Sequence, residues 1–181
     1  AFFAGHERTF RAELEDAIAR GDRFAQLMYV VRDMMMNATV RDTLDAAEAR
    51  ADGVMEAFGD RGFQMEHLAE LFERNHMALY RERGEVAYGL YTAAWKKIGQ
   101  AQLMRLKPLR VETQSGRGRA ALLLASSLPA GRRRSALIRE AARLGDIIAA
   151  EAPDARTLVL GCPLTAGVAY LRGDVASAIT R

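Results

Sequence analysis

Cysteine is almost missing from this chain: Cys162 stands alone among 181 residues, so no disulfide can close within it. A lone thiol suits a reducing compartment. Proline is nearly as scarce, at four residues, so few stretches are barred from being helix. No apolar run approaches the ~18 residues that a bilayer-crossing helix requires. Phe2-Phe3-Ala4 is followed at once by Gly5, His6 and Glu7, which is not the apolar stretch of a secretory leader. No strand-like alternation runs long enough to build a sheet. These absences predict an all-α, cytoplasmic protein with no membrane association. The first residue is not methionine and Arg181 falls early in a further helical pattern, so the sequence reads as a piece of a larger protein.

Amphipathic helices fill the rest. The spacing of apolar residues predicts helices over 8–20, 22–37, 42–58, 63–83, 84–98, 132–151 and 154–171. Residues 100–127 are helix-forming too, but Lys107-Pro108 requires a kink or a restart. Residues 128–131 read as a loop, Leu137, Ala141, Leu144 and Ile148 stripe the helix that follows it, and Pro163 predicts a bend in the helix that contains it. Apolar stripes alternate between wide (Phe24, Leu27, Met28, Val31, Met34, Met35) and narrow (Leu44, Ala47, Ala51, Val54, Met55, Phe58). That alternation fits two stacked layers. Turn signatures at Gly5-His6-Glu7, Gly84-Glu85 and Gly173-Asp174 are 79 and 89 residues apart, which gives a hairpin period of 40 to 45 residues. Repetition at that length is the mark of an α-solenoid, whose hairpins bury their apolar faces only by stacking. The expectation is one helical-repeat domain over 1–181, with seven to nine helices and with Leu68, Phe72 and Leu79 buried between hairpins.

Charge is divided along the chain. Residues 1–90 carry 11 Lys+Arg against 17 Asp+Glu, and residues 91–181 carry 15 against 6. Residues 96–143 hold twelve basic side chains against Glu112 and Glu140 alone. Such polarity steers acidic partners or nucleic acid. Arg117, Arg119, Arg132, Arg133 and Arg134 lie toward the loop at 128–131 and are the candidate partner-binding residues. The competing reading is that some of these arginines pair locally with Glu140 and Glu112 and that the rest, like most of the 23 arginines among the 26 basic residues, only solvate helix faces.

Motifs for chemistry are thin. Gly116-Arg117-Gly118-Arg119-Ala120-Ala121 has the glycine spacing of a dinucleotide loop but lacks the preceding strand, so its glycines read as close-packing positions in a helix. No lysine-bearing phosphate loop occurs. Glu73-Arg74-Asn75-His76 has the carboxylate–histidine spacing of helical di-iron sites, without the second copy such a site needs. His76 therefore reads as a core histidine and His67 as exposed or at an interface. Cys162 reads as buried and structural, and Ser126-Ser127 lacks the glycines of a nucleophile elbow. Met34-Met35-Met36 reads as core filler, against the alternative of a plastic docking face. No catalytic residue, cofactor or metal follows from these patterns.

Arg61-Gly62-Phe63-Gln64-Met65-Glu66-His67, then Leu79-Tyr80, Trp95, Arg105, Arg110, Arg117-Gly118-Arg119-Ala120-Ala121 and Arg132-Arg133-Arg134, resemble a known region. It is the tetratricopeptide-like C-terminal part of large bacterial serine/threonine protein kinases that also carry a signalling ATPase module. The resemblance implies a protein-interaction or regulatory region of a multidomain signalling protein. Its partner would be another protein or another domain of the same parent. In that family the catalytic modules lie N-terminal to the repeats, and none of their motifs occurs here, so the fragment is expected to be non-enzymatic. Gly173-Asp174-Val175-Ala176-Ser177-Ala178 keeps the repeat's turn and alanine spacing, whereas Gly84–Tyr91 does not. A small-molecule effector-sensing repeat domain, and nucleic-acid binding through the basic half, are the alternatives. Nucleic acid ranks behind protein as a partner, and oligomeric state is left open.

Overall fold

The computed structural model describes residues 2–33, 38–56, 58, 62–151 and 154–180, with side chains from Arg8 onward. Met34, Met35, Met36, Asp60, Arg61 and Pro153 lie outside the described residues. Every regular element among those described is a helix: α1 (Phe2–Ala19), α2 (Arg23–Asp33), the single turn α3 (Thr39–Arg41), α4 (Leu44–Met55), α5 (Met65–Tyr80), α6 (Gly84–Gln100), α7 (Lys107–Ser127), α8 (Arg132–Ala150), α9 (Ala155–Leu171) and α10 (Val175–Thr180). A 3₁₀ turn, Gln102–Arg105, precedes α7. The chain forms two compact units, Ala1–Met77 and Ala78–Arg181.

In the first unit α2 packs against both α1 and α4, as its wide stripe requires. Gly21, at φ 66°, ends α1, and the Asp22 carboxylate accepts from the Ala25 amide at 2.9 Å to start α2. The narrow stripe of α4 buries Leu44, Ala47 and Ala51 with Val30, Ala38 and Met77. Its opposite face is in water.

The second unit is a run of antiparallel helices in which each packs on the next, and α7 also packs on α9. Leu137, Ala141, Leu144 and Ile148 of α8 are all buried, matching the expected stripe residue for residue. They meet Ala121, Leu124 and Val111 of α7 and Leu164 and Val168 of α9. Burying a leucine of this kind is worth about 1.5–3 kcal/mol.

Prolines and glycines explain where the sequence expectations hold and where they do not. Pro108 occupies the first turn of α7, where its missing amide would have had no intrahelical partner, so the helix restarts there without a kink. α9 continues through Pro163. Gly173, at φ 87°, ends α9, and Asp174 accepts from the Ser177 amide at 3.1 Å to open α10. Gly5-His6-Glu7 is not a turn: it lies inside α1, because one glycine costs a helix only about 1 kcal/mol. With that anchor gone, the hairpin period rests on Gly84 and Gly173. Leu68 is wholly buried, while Phe72 and Leu79 are half-buried.

Candidate partner-binding surface

α7 is built from small residues where its neighbours come closest. A Cβ at Gly116 would sit 2.0 Å from the Tyr91 hydroxyl, and one at Gly118 would sit 2.7 Å from Leu164. The two glycines therefore admit α6 on one side and α9 on the other, which is the packing role the sequence assigned them. Arg117 stands between them and points its guanidinium at α6 and α8. It lies 4.1 Å from the centroid of the Trp95 ring and 5.4 Å from that of Tyr88. Its Nε donates to Glu140 at 2.5 Å, and the Tyr88 hydroxyl donates to the other oxygen of the same carboxylate at 2.6 Å. Burial first, and then this bond to Glu140, raises the Tyr88 pKa. Arg117 is 12% exposed, so its charge is spent on a knot that joins three helices, and not on a surface.

The other four arginines divide by position. Arg134, on the first turn of α8, donates to the carbonyls of Ala125 at 3.3 Å and Leu171 at 3.0 Å. It thereby satisfies acceptors at the C-terminal ends of α7 and α9. Arg133 pairs with Glu85 of α6 at 2.8 Å in full solvent, a contact worth about 0–1 kcal/mol. Arg132 is exposed and Arg119 half-buried, and neither meets a carboxylate among the described residues. Arg132 shares the outer face of α8 with Arg139 and Arg143, which sequence reasoning did not single out. Their spacing of seven and four residues was the available signal, because it returns to one helix face.

Three cations near the other end of α7 are already neutralised. Arg110 grips Glu151 through two hydrogen bonds, at 2.7 and 3.0 Å, Lys107 reaches Asp154 at 2.8 Å, and Arg156 reaches Glu112 at 2.7 Å. Asp154 also caps α9 by accepting from the Thr157 amide at 2.8 Å, while Thr157 Oγ1 accepts from the Asp154 amide. Lys107 foremost, and then the amide and hydroxyl of Thr157, hold the Asp154 carboxyl well below the usual range. Arg110 does the same to Glu151.

Side chains weighed for chemistry fall elsewhere. Cys162 is half-buried, not buried, and lines a mostly apolar cavity of about 130 Å³ between α8 and α9 with Gly145, Ile148 and Thr165. Ligand pockets are typically ~300 Å³ or more. His76 is half-buried with Nδ1 3.6 Å from Glu73, beyond hydrogen-bond range. The neighbouring Asn75 is buried with neither amide atom hydrogen-bonded. His67 is half-buried, stacked near Phe63, and its Nδ1 accepts from the Gln64 amide at 3.2 Å. Among the described residues no three acidic, histidine or cysteine side chains are grouped to hold a metal ion. No described helix is long and apolar enough to cross a membrane. Compared with protein-family models, curated proteins and solved structures, the chain matches none.

Proposed function

We propose that the chain is a tetratricopeptide-like helical-repeat region, an α-solenoid in two layers, that docks protein partners for a larger signalling protein. A serine/threonine kinase is the parent that the sequence resemblance favours. One observation carries the docking role: the second unit holds 17 Lys+Arg against 8 Asp+Glu, and its α8 presents arginines that no carboxylate of the described residues neutralises. Side chains of this kind hold carboxylates through paired hydrogen bonds. The succession of antiparallel helices, each on its neighbour, supports the solenoid reading.

The partner is therefore an acidic protein segment, from the parent or from another protein. Of the five arginines first singled out, Arg119, Arg132 and Arg133 are assigned to docking. Arg117 and Arg134 are assigned to holding the helices that present them. A glutamate-rich peptide, titrated at low and at physiological salt, tests the reading. Arg132→Ala/Arg133→Ala should weaken binding at both. Unchanged affinity would leave these side chains as solvated surface, and tighter, steeply salt-dependent binding of duplex nucleic acid would favour that alternative.

A further inference from the structure

The outward faces of α4 and α8 carry the same charge pattern with opposite sign. On α8, Arg132, Arg139 and Arg143 are exposed and follow each other at steps of seven and four residues. On α4, Asp45, Asp52 and Glu56 are exposed and follow the same two steps, Glu56 keeping helical backbone angles as the cap. Steps of seven and eleven residues return to within about 20° of one line on a helix and rise about 10 and 16 Å. Each trio is thus a straight row, and the two rows have equal spacing.

Small residues lie beside both rows: Ala46, Ala49 and Gly53 on α4, and Ser135 and Ala136 on α8, all exposed. Two such helices can approach without long side chains intervening. Asp45 and Asp52 each already interact within their own chain, Asp52 with Arg74, but that guanidinium is shared with Glu70, and both carboxylates stay exposed, the Asp52 side chain at 62%. Net charge follows the same division: the unit bearing α4 has 9 Lys+Arg against 15 Asp+Glu, and the unit bearing α8 has the opposite excess.

We infer that the acidic face of α4 in one copy of this chain docks, parallel, on the arginine face of α8 in a second copy. Asp45 then stands opposite Arg132, Asp52 opposite Arg139, and Glu56 opposite Arg143. The contact joins two different surfaces, so each dimer keeps one free α4 face and one free α8 face and can add further copies. This rests on the reading of α8 as a docking surface and goes beyond it by naming the occupant.

Sedimentation velocity on the full chain tests the pairing. Average mass should rise with concentration at low salt and return to the 20.0 kDa monomer at ~1 M salt, where the Debye length is about 3 Å. Arg132→Glu/Arg139→Glu/Arg143→Glu should weaken self-association by roughly tenfold or more, through like-charge opposition. Asp45→Lys/Glu56→Lys should do the same, with Glu56→Lys alone as the milder variant should the pair disturb α4. Circular dichroism confirms that each variant is folded. Mixing the two reversed proteins should restore association, because each then offers the face the other lacks. Failure of the mixture to associate overturns the pairing of α4 with α8. A chain that stays monomeric at low salt yet binds the glutamate-rich peptide also overturns it, and leaves the docking role of α8 standing.

Discussion

A methyl group added at position 116 has nowhere to go. Its Cβ would overlap the Tyr91 hydroxyl at 2.0 Å, and Tyr91 is wholly buried, so the ring cannot swing into water. Gly116→Ala should therefore cost about 1–3 kcal/mol in urea unfolding, despite alanine's better helix propensity. Gly89→Ala, on the open face of α6 with nothing within 4 Å, should instead stabilise by about 0.5–1 kcal/mol. Two equal outcomes would mean that α6 does not press on α7. Arg117→Lys keeps the charge but loses the planar stack on Trp95 and the fixed bond to Glu140. Trp95 is the only tryptophan, so its emission spectrum should change, with a stability loss of about 1–2 kcal/mol. Sequence alone could see the glycines as packing positions, since their spacing lacked a strand context. It could not see that Arg117 faces inward, because an arginine between two helix-contact glycines looks the same as one in water.

At the scale of the helix, termini decide most of what the sequence left open. The α8 stripe was legible in full because four apolar residues at helical spacing admit one burial pattern. Pro108 was ambiguous, because a proline kinks a helix interior but starts a helix equally well. Gly5 misled, because the same residue that ends a helix is tolerated within one. Asp154 illustrates a terminus that does two jobs, capping α9 and meeting Lys107. Its folded pKa is depressed, as is that of Glu151, so both contribute stability above the ordinary carboxylate range of about 4. That contribution is lost as pH falls through the folded values. The melting temperature should decline from about pH 5 downward, and Asp154→Asn, which keeps a capping oxygen, should flatten part of that decline. An unchanged profile in the variant would show that the Lys107 pair is not formed in solution.

For the whole molecule, the all-helical class followed from what the sequence lacks, and the structure shows it. The arrangement of hairpins was less legible, since periodicity places an apolar face without naming the helix it meets. Leu164 makes the point: it is wholly buried beside Val111, Leu144 and Ile148, contributed by two different helices. Leu164→Ala should cost about 2–5 kcal/mol. Hydrogen exchange should accelerate first in α7, α8 and α9, which share that cluster. Acceleration confined to α9 would separate it from the stack. The candidate site was half legible: composition located the basic half, but which cations are neutralised depends on Glu85, Glu140, Glu151 and Asp154, distant in sequence from their partners.

Arg134 has a consequence for a chain under tension. Its guanidinium, carried by α8, is fastened to the last turns of α7 and α9 together. A pull applied beyond α9 has to break the bond from Arg134 to the Leu171 carbonyl, worth about 1.5–3 kcal/mol, before the last turn of α9 can leave α8. The same guanidinium also holds the Ala125 carbonyl, so the strain reaches the end of α7 as well as α8.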